Sequence, residues 1–354
     1  MLHATALSAL LCWLACAALI MLGRRKHFGL DETVGVQKRH RRPTPRTGGF
    51  GIALGIAAAV LWLIPLTYID AGQAAMLGLA VLPVLAAGMI EDIRRQVAPK
   101  WRALATLLGA ALAVWLLGAS VTRLGLWPVD SLLLHWPPLG WAIALVAIGA
   151  LPHAVNMIDG YNGLAGMVSF MIFGAIGYVA FKVDDPMIMA LSLAVIGALL
   201  GFLFWNWPRG EIFLGDTGAY LLGFWMAVLS VLLVARNSAV SPWFALMVLM
   251  YPVWELLYSL WRRKFRQRAG TAPDTLHLHH LIYWRLTRLL GPDEHPDPRQ
   301  HRNAATSPYL WAVAAFSVGP AMLWWGDTRL LILCSVAFVA MYLLAYRLLV
   351  RRRI

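Results

Sequence analysis

Charge is what this sequence has least of. Only 13% of its 354 residues are Asp, Glu, Lys or Arg, about half the share expected of a soluble domain. Acid is the scarcer sign: 17 Asp and Glu stand against 30 Lys and Arg, for a formal net charge of +13. Cysteine is nearly absent. Cys12, Cys16 and Cys334 all lie in apolar runs, without metal-ligand spacing or a disulfide framework, and read as buried thiols. The longest polar stretch, about 262–307, is too basic and too poor in apolar residues to build a core of its own. No two halves of the chain match, which removes the internal-repeat signature of many transporters. The glycine-rich Thr47-Gly-Gly-Phe-Gly51 lacks the strand–loop–helix setting that a phosphate loop needs.

What is abundant is apolar sequence, at 60% hydrophobic residues. Eleven segments can serve as spans: about 2–22, 49–69, 73–90, 102–121, 139–155, 163–181, 187–206, 214–235, 241–261, 308–325 and 329–349. The expected fold class is therefore an all-α polytopic membrane protein with about 11 transmembrane helices in a single domain, 1–354. The first segment is expected to be retained, because Arg24, Arg25 and Lys26 follow its apolar run instead of preceding it as in a secretory signal. Placing loop 24–46 in the cytoplasm fixes the rest by alternation. Only Arg123, Lys182, Arg236 and Arg329, of the 30 basic residues, then fall on the opposite side. That asymmetry supports an external (periplasmic) N-terminus and a cytoplasmic C-terminus. It also accounts for the net charge without nucleic acid.

The same topology puts four polar clusters at the cytoplasmic face: Glu91-Asp92, Asn156-Met-Ile-Asp159-Gly-Tyr-Asn162-Gly-Leu164, Gly215-Asp216 and His277-Leu-His279-His280. Each has a plain structural reading when taken alone. Asp92 can pair with Arg94 or Arg95, while Asp159 and Asp216 can cap helices. Lys38, Arg39, Arg41, Arg42 and Arg46 can be a topology signal or a lipid contact. The histidines can form a polar loop or, less favourably, a zinc site, since no cysteine lies nearby. Their convergence on one face is what points to chemistry. Few hard oxygen ligands suit Mg²⁺, which binds substrate phosphates, and Lys100 and Arg102 add cations beside them. Phosphoryl transfer involving a lipid phosphate fits that set. The competing class is a transporter or lipid-carrier flippase using the carboxylates as an ion path, which would need charge at the bilayer midplane.

His40-Arg-Arg-Pro-Thr-Pro-Arg-Thr-Gly-Gly49, Gly88-Met-Ile-Glu-Asp92, the 156–164 stretch, Phe213-Leu-Gly-Asp-Thr-Gly218 and His277–His280 together resemble the polyprenyl-phosphate N-acetylhexosamine-1-phosphate transferase superfamily (glycosyltransferase family 4). That group includes the phospho-MurNAc-pentapeptide translocase and GlcNAc-1-phosphate transferases of O-antigen and teichoic-acid synthesis. An eleven-span chain is closer to the second branch. The resemblance implies a bacterial inner-membrane enzyme that moves an N-acetylated sugar-1-phosphate from a UDP-sugar to undecaprenyl phosphate, releasing UMP and initiating a cell-envelope polysaccharide. It implies Mg²⁺, with Mn²⁺ as a substitute, membrane-lipid surroundings and a homodimer. By residue, it implies Asp216 and Asp92 as metal ligands, and Asp92, Glu91 and Asp159 as catalytic groups. Asn156, Asn162, Lys100 or Arg102, Arg46, His277, His279 and His280 would bind substrate. Two positions depart from the family pattern: Glu91 and Asn162 each stand where Asp is usual.

Overall fold

The computed structural model describes residues 1–26, 28–31, 43–95, 97–265, 276–290, 295 and 298–351. The basic run Lys38, Arg39, Arg41 and Arg42, together with His40, lies outside the described residues. The architecture is all-helical. In chain order the helices are α1 (Leu2–Lys26), α2 (Gly48–Leu63), α3 (Ala71–Arg94), α4 (Pro99–Leu117), α5 (Trp127–His135), α6 (Pro137–Ile158) and α7 (Leu164–Lys182). They continue as α8 (Pro186–Asn206), α9 (Gly215–Arg236), α10 (Pro242–Val248), α11 (Met250–Phe265), α12 (Leu278–Leu290), α13 (Pro298–Leu323) and α14 (Thr328–Arg351). Two-residue strands β1 (Leu30–Asp31) and β2 (Thr44–Pro45) pair antiparallel.

Eight of the described helices are long and apolar enough to cross a membrane, or nine if α10 and α11 count as one bent span. The chain is a multi-pass membrane protein. Proline opens many of its helices: α4, α5, α6, α8 and α10 each carry it at the first or second position, where its missing N–H costs no hydrogen bond.

Several boundaries differ from those expected of the sequence. The segment 241–261, read as one span, breaks at Leu249, and its two halves are bent by 72°. Pro252 explains this, because its ring excludes the carbonyl of residue 248 and donates no N–H to it. Helix α3 runs through Glu91 and Asp92 to Arg94, so both acids sit on a helical turn and not in a loop. The polar stretch 262–307 carries the end of α11, all of α12 and the opening of α13. Cys12 and Cys16 are buried as expected and Cys334 is half-buried, all three as free thiols.

Helix α9 is the axis of the bundle. Within its most apolar stretch 89% of residues are buried, against 22% for α4 and α14. It packs against α6, α3 and α2. At its first turn the approach is backbone to backbone, since a Cβ on Gly88 of α3 would lie only 2.5 Å from Thr217 Cα. The ends of several helices are thereby drawn onto the residue that begins α9's polar turn, Asp216.

Candidate active site

The site is built on that turn. Residues 45–49 run alongside 213–214: Phe213 N–H donates to the Pro45 carbonyl at 2.8 Å, Gly48 N–H to Phe213 at 3.0 Å and Gly49 N–H to Leu214 at 2.9 Å. The next residue, Gly215, has φ +73° and is wedged between the Arg46 carbonyl and the Asp92 carboxylate. A side chain there would meet both strain and collision. The sequence motifs around Arg46 and Asp216 are thus two edges of one short junction.

Asp92 is fully buried. Its Oδ1 accepts from Asp216 N–H at 2.8 Å, and its Oδ2 from Thr217 N–H at 2.9 Å and Thr217 Oγ1–H at 2.6 Å. It therefore caps α9 from a neighbouring helix, satisfying N–H groups that have no partner within α9. Asp216 faces the other way. Its Oδ1 accepts from Arg46 Nη2 and its Oδ2 from Arg102 Nη1, both at 2.9 Å. Arg46 also lies 3.8 Å from Asp92 and 3.9 Å from Asp31. Glu91 is 3.9 Å from Arg102, and its Oε2 accepts from Val97 N–H at 2.9 Å. Arg102, not Lys100, reaches the cluster. Lys100 is exposed and lies over the Trp101 ring.

The 156–164 turn spans the gap to a second polar region. Asn156 donates weakly to Tyr220 OH at 3.5 Å. Asp159 follows α6 directly. Burial pushes its carboxyl up to about 7, with Arg46 opposing the shift and Asp216 and Asp92 adding to it. Asn162 is buried: its backbone N–H donates to Asn303 Oδ1 at 2.8 Å, its backbone carbonyl accepts from Ser307 Oγ at 2.6 Å, and its side-chain amide reaches the Pro208 carbonyl at 3.4 Å. It ties the turn to α13.

The histidines form that second region. His277, His279 and His280 cluster with ring centroids 4.3–5.8 Å apart, His277 stacked on His279 and His280 tilted to both, and Tyr161 meets His279 edge to face at 5.4 Å. Burial, with His280 and His277 adding to it, holds the His279 imidazole well below its ordinary pKa, so the ring is neutral at physiological pH. Among the described residues no three or more His, Cys, Asp or Glu side chains converge as a metal-ligand set. A zinc reading of the histidines is not supported there.

Two residues absent from the sequence expectations complete the picture. Thr217 supplies two of the donors to Asp92. Glu255, buried on α11, accepts from Leu278 N–H at 3.3 Å and lies 3.4 Å from His277 Nδ1. An isolated acid within Met250-Tyr-Pro-Val-Trp-Glu-Leu-Leu-Tyr was the available signal, because a carboxylate in an apolar helix needs a partner.

Residues 74–234 match the family described as "Glycosyl transferase family 4". That stretch contains Glu91, Asp92, Arg102, Asp159 and Asp216. The chain is 30% identical over 252 residues to a Bacillus subtilis (strain 168) protein named "Probable undecaprenyl-phosphate N-acetylglucosaminyl 1-phosphate transferase", covering 70% of this chain and 67% of that one. It is 28% identical over 263 residues to "Undecaprenyl-phosphate alpha-N-acetylglucosaminyl 1-phosphate transferase" from Yersinia pestis, covering 72% and 70%. The protein of that name from Escherichia coli (strain K12) is 29% identical over 273 residues, covering 73% and 70%.

Proposed function

Because the chain belongs to glycosyl transferase family 4, we propose that it transfers N-acetylglucosamine-1-phosphate, or a close N-acetylhexosamine analogue, from a UDP-sugar to undecaprenyl phosphate. A phosphate oxygen of the carrier forms a bond to the sugar-bearing phosphorus of the donor. The bond from that phosphorus to the bridging oxygen breaks, and UMP leaves with the electron pair. The observation that carries the reading is the paired grip of Arg46 and Arg102 on the two oxygens of Asp216. Two guanidiniums from different segments converge where a diphosphate can take their donors.

Mg²⁺, or Mn²⁺ in its place, fits this centre by charge and donor chemistry. Glu91, Asp92 and Asp216 place three carboxylates within 3.9 Å of the guanidiniums of Arg46 or Arg102, and an ion that keeps its waters needs only one or two of them. When bound, the ion would neutralise diphosphate charge in the transition state. Asp216 is the residue assigned to hold it. Asp92, whose oxygens are held by the fixed backbone and Thr217 of α9, is assigned to positioning Asp216, whose oxygens meet arginine side chains that can turn to a phosphate. Arg46 and Arg102 hold phosphate oxygens. Asp159 or Glu91 is left to accept any proton still on the carrier phosphate, a light task given its second pKa near ~6. The histidines beside Tyr161 line the sugar-nucleotide side.

We place eleven crossings in a bacterial inner membrane, adding α2 and α13 to the apolar helices, with the α9 turn at the cytoplasmic face. A transport path gains no support. The charged cluster sits at helix ends, and Glu255 is bound to the start of α12. The test is to incubate the purified protein with undecaprenyl phosphate, labelled UDP-N-acetylhexosamines and Mg²⁺. Lipid-linked label and UMP are expected, and their absence across the panel would overturn the reading.

A further inference from the structure

Away from the α9 turn, α11 and α14 leave between them a groove of about 780 Å³, within the range of small-ligand sites. Trp254, Leu257, Trp261 and Phe265 form one wall, and Leu343 and Val350 the other. The α11 residues recur at helical spacing and so make a single stripe. That stripe is uncovered, with Trp261 56% and Phe265 66% exposed. The floor is closed. Tyr258 and Tyr346 meet edge to face at 4.8 Å, and Arg262 bridges them from above, donating to Tyr346 OH at 2.9 Å and to the Leu276 carbonyl at 2.8 Å.

The groove is strongly one-sided in charge. Arg262, Arg347 and Arg351 line it, and among the described residues no acidic side chain does. Arg347 and Arg351 are exposed on the last turns of α14, and α11 likewise ends on Arg262, Arg263 and Lys264. Both helices therefore run from apolar membrane sequence into a cationic end. A trough with aromatic walls and arginines at one end matches a molecule with an apolar tail and an anionic head.

We propose that this groove binds an anionic membrane phospholipid, its acyl chain along the α11 stripe and its phosphate between Arg347 and Arg351. The tail covers exposed Trp, Leu and Phe surface, and the head sets a phosphate against Arg347 and Arg351. Because Arg262 holds the carbonyl of Leu276, next to His277, an occupied groove braces the α11–α12 corner. The proposal does not depend on the transfer reaction.

The test compares the wild type with Arg347→Gln/Arg351→Gln and, separately, with Leu343→Trp, which fills the groove without altering charge. Each protein is purified, stripped in neutral detergent, and offered phosphatidylglycerol, phosphatidylethanolamine or undecaprenyl phosphate at equal concentration. Native mass spectrometry counts retained lipid, and thermal melts report stabilisation. The wild type should retain one phosphatidylglycerol and melt higher with it, and both variants should lose that occupancy by at least about fivefold (~1 kcal/mol). Equal retention in wild type and variants, equal retention of the zwitterionic lipid, or displacement by undecaprenyl phosphate at lower concentration would each overturn the proposal. The last outcome would assign the groove to the carrier. Circular dichroism of the variants separates lost binding from lost folding.

Discussion

Two polar regions flank the 156–164 turn, and they are held together by different physics. At the first turn of α9 the side chains carry formal charge and are paired: Asp216 between Arg46 and Arg102, Asp92 against the α9 N–H groups. At the α11–α12 corner the histidines and Tyr161 are joined by ring contacts, and the charge lies beneath them in Glu255. The first arrangement is directional and strong, since charge-assisted hydrogen bonds contribute about 1.5–3 kcal/mol each. Ring pairs contribute about 0.5–1.5 kcal/mol and tolerate displacement. One turn serves both, with Asp159 in the field of Arg46, Asp216 and Asp92 and Tyr161 on His279. The charged region is therefore expected to set the chemistry, and the aromatic region to set how the nucleotide sugar is seated.

Asp92→Asn should show the largest effect. An amide offers one acceptor where the α9 turn presents three donors, so a buried N–H loses its partner at a cost of about 1–3 kcal/mol. Turnover should fall by about 100-fold or more, with a lower melting temperature. A variant with normal melting and normal turnover would show that the cap does not position Asp216. Next in size is Arg102→Gln, which should lower kcat/KM roughly 10- to 100-fold, while Lys100→Ala stays within about twofold. Steady-state kinetics decide this pair, and the reverse ranking would mean that the ion pair drawn here is not the working one.

On the aromatic side, Glu255→Gln preserves shape and an acceptor for Leu278 N–H but removes charge beside His277. A smaller loss is expected, about tenfold in kcat/KM and mainly through KM for the UDP-sugar. A pure kcat loss would move the histidines into the chemical step. The smallest effect is in stability against pH. Asp159 rises on folding from 3.8 to about 7 because of burial, so the folded chain holds a proton that the unfolded one has released. That contribution is fully present below pH ~4 and is lost as pH climbs through about 7. In metal-free buffer the wild type should therefore lose melting temperature relative to Asp159→Asn between pH 5 and pH 8. Parallel curves would contradict a desolvated Asp159.

Much of this centre was legible in the sequence, because the motif residues Arg46, Glu91, Asp92, Asp159 and Asp216 do assemble around one helix end. Partnership was not. Asp92 next to Arg94 and Arg95 invites a local ion pair, yet its carboxylate turns inward to α9, a contact 124 residues away. Lys100 and Arg102 are indistinguishable by spacing until the helix starting at Pro99 places one on each face. Asn162, expected to contact substrate, also ties the turn to α13 through its backbone N–H and carbonyl, a link its side-chain chemistry does not announce. The break at Leu249 was written in Pro252, but hydropathy averages over it. Glu255 stands alone in an apolar run, and its partners are His277 and the Leu278 N–H at the start of α12, more than twenty residues on and invisible to hydropathy.

The most direct test is UMP release by Asp216→Asn beside the wild type, with undecaprenyl phosphate, UDP-N-acetylglucosamine and a Mg²⁺ titration. The wild type should release UMP only when carrier and Mg²⁺ are both present, and Asp216→Asn should fall to roughly one hundredth of that rate or less while remaining folded. UMP release by Asp216→Asn at the wild-type rate, with the same Mg²⁺ dependence, would contradict the assignment of the α9 turn as the site of phosphoryl transfer.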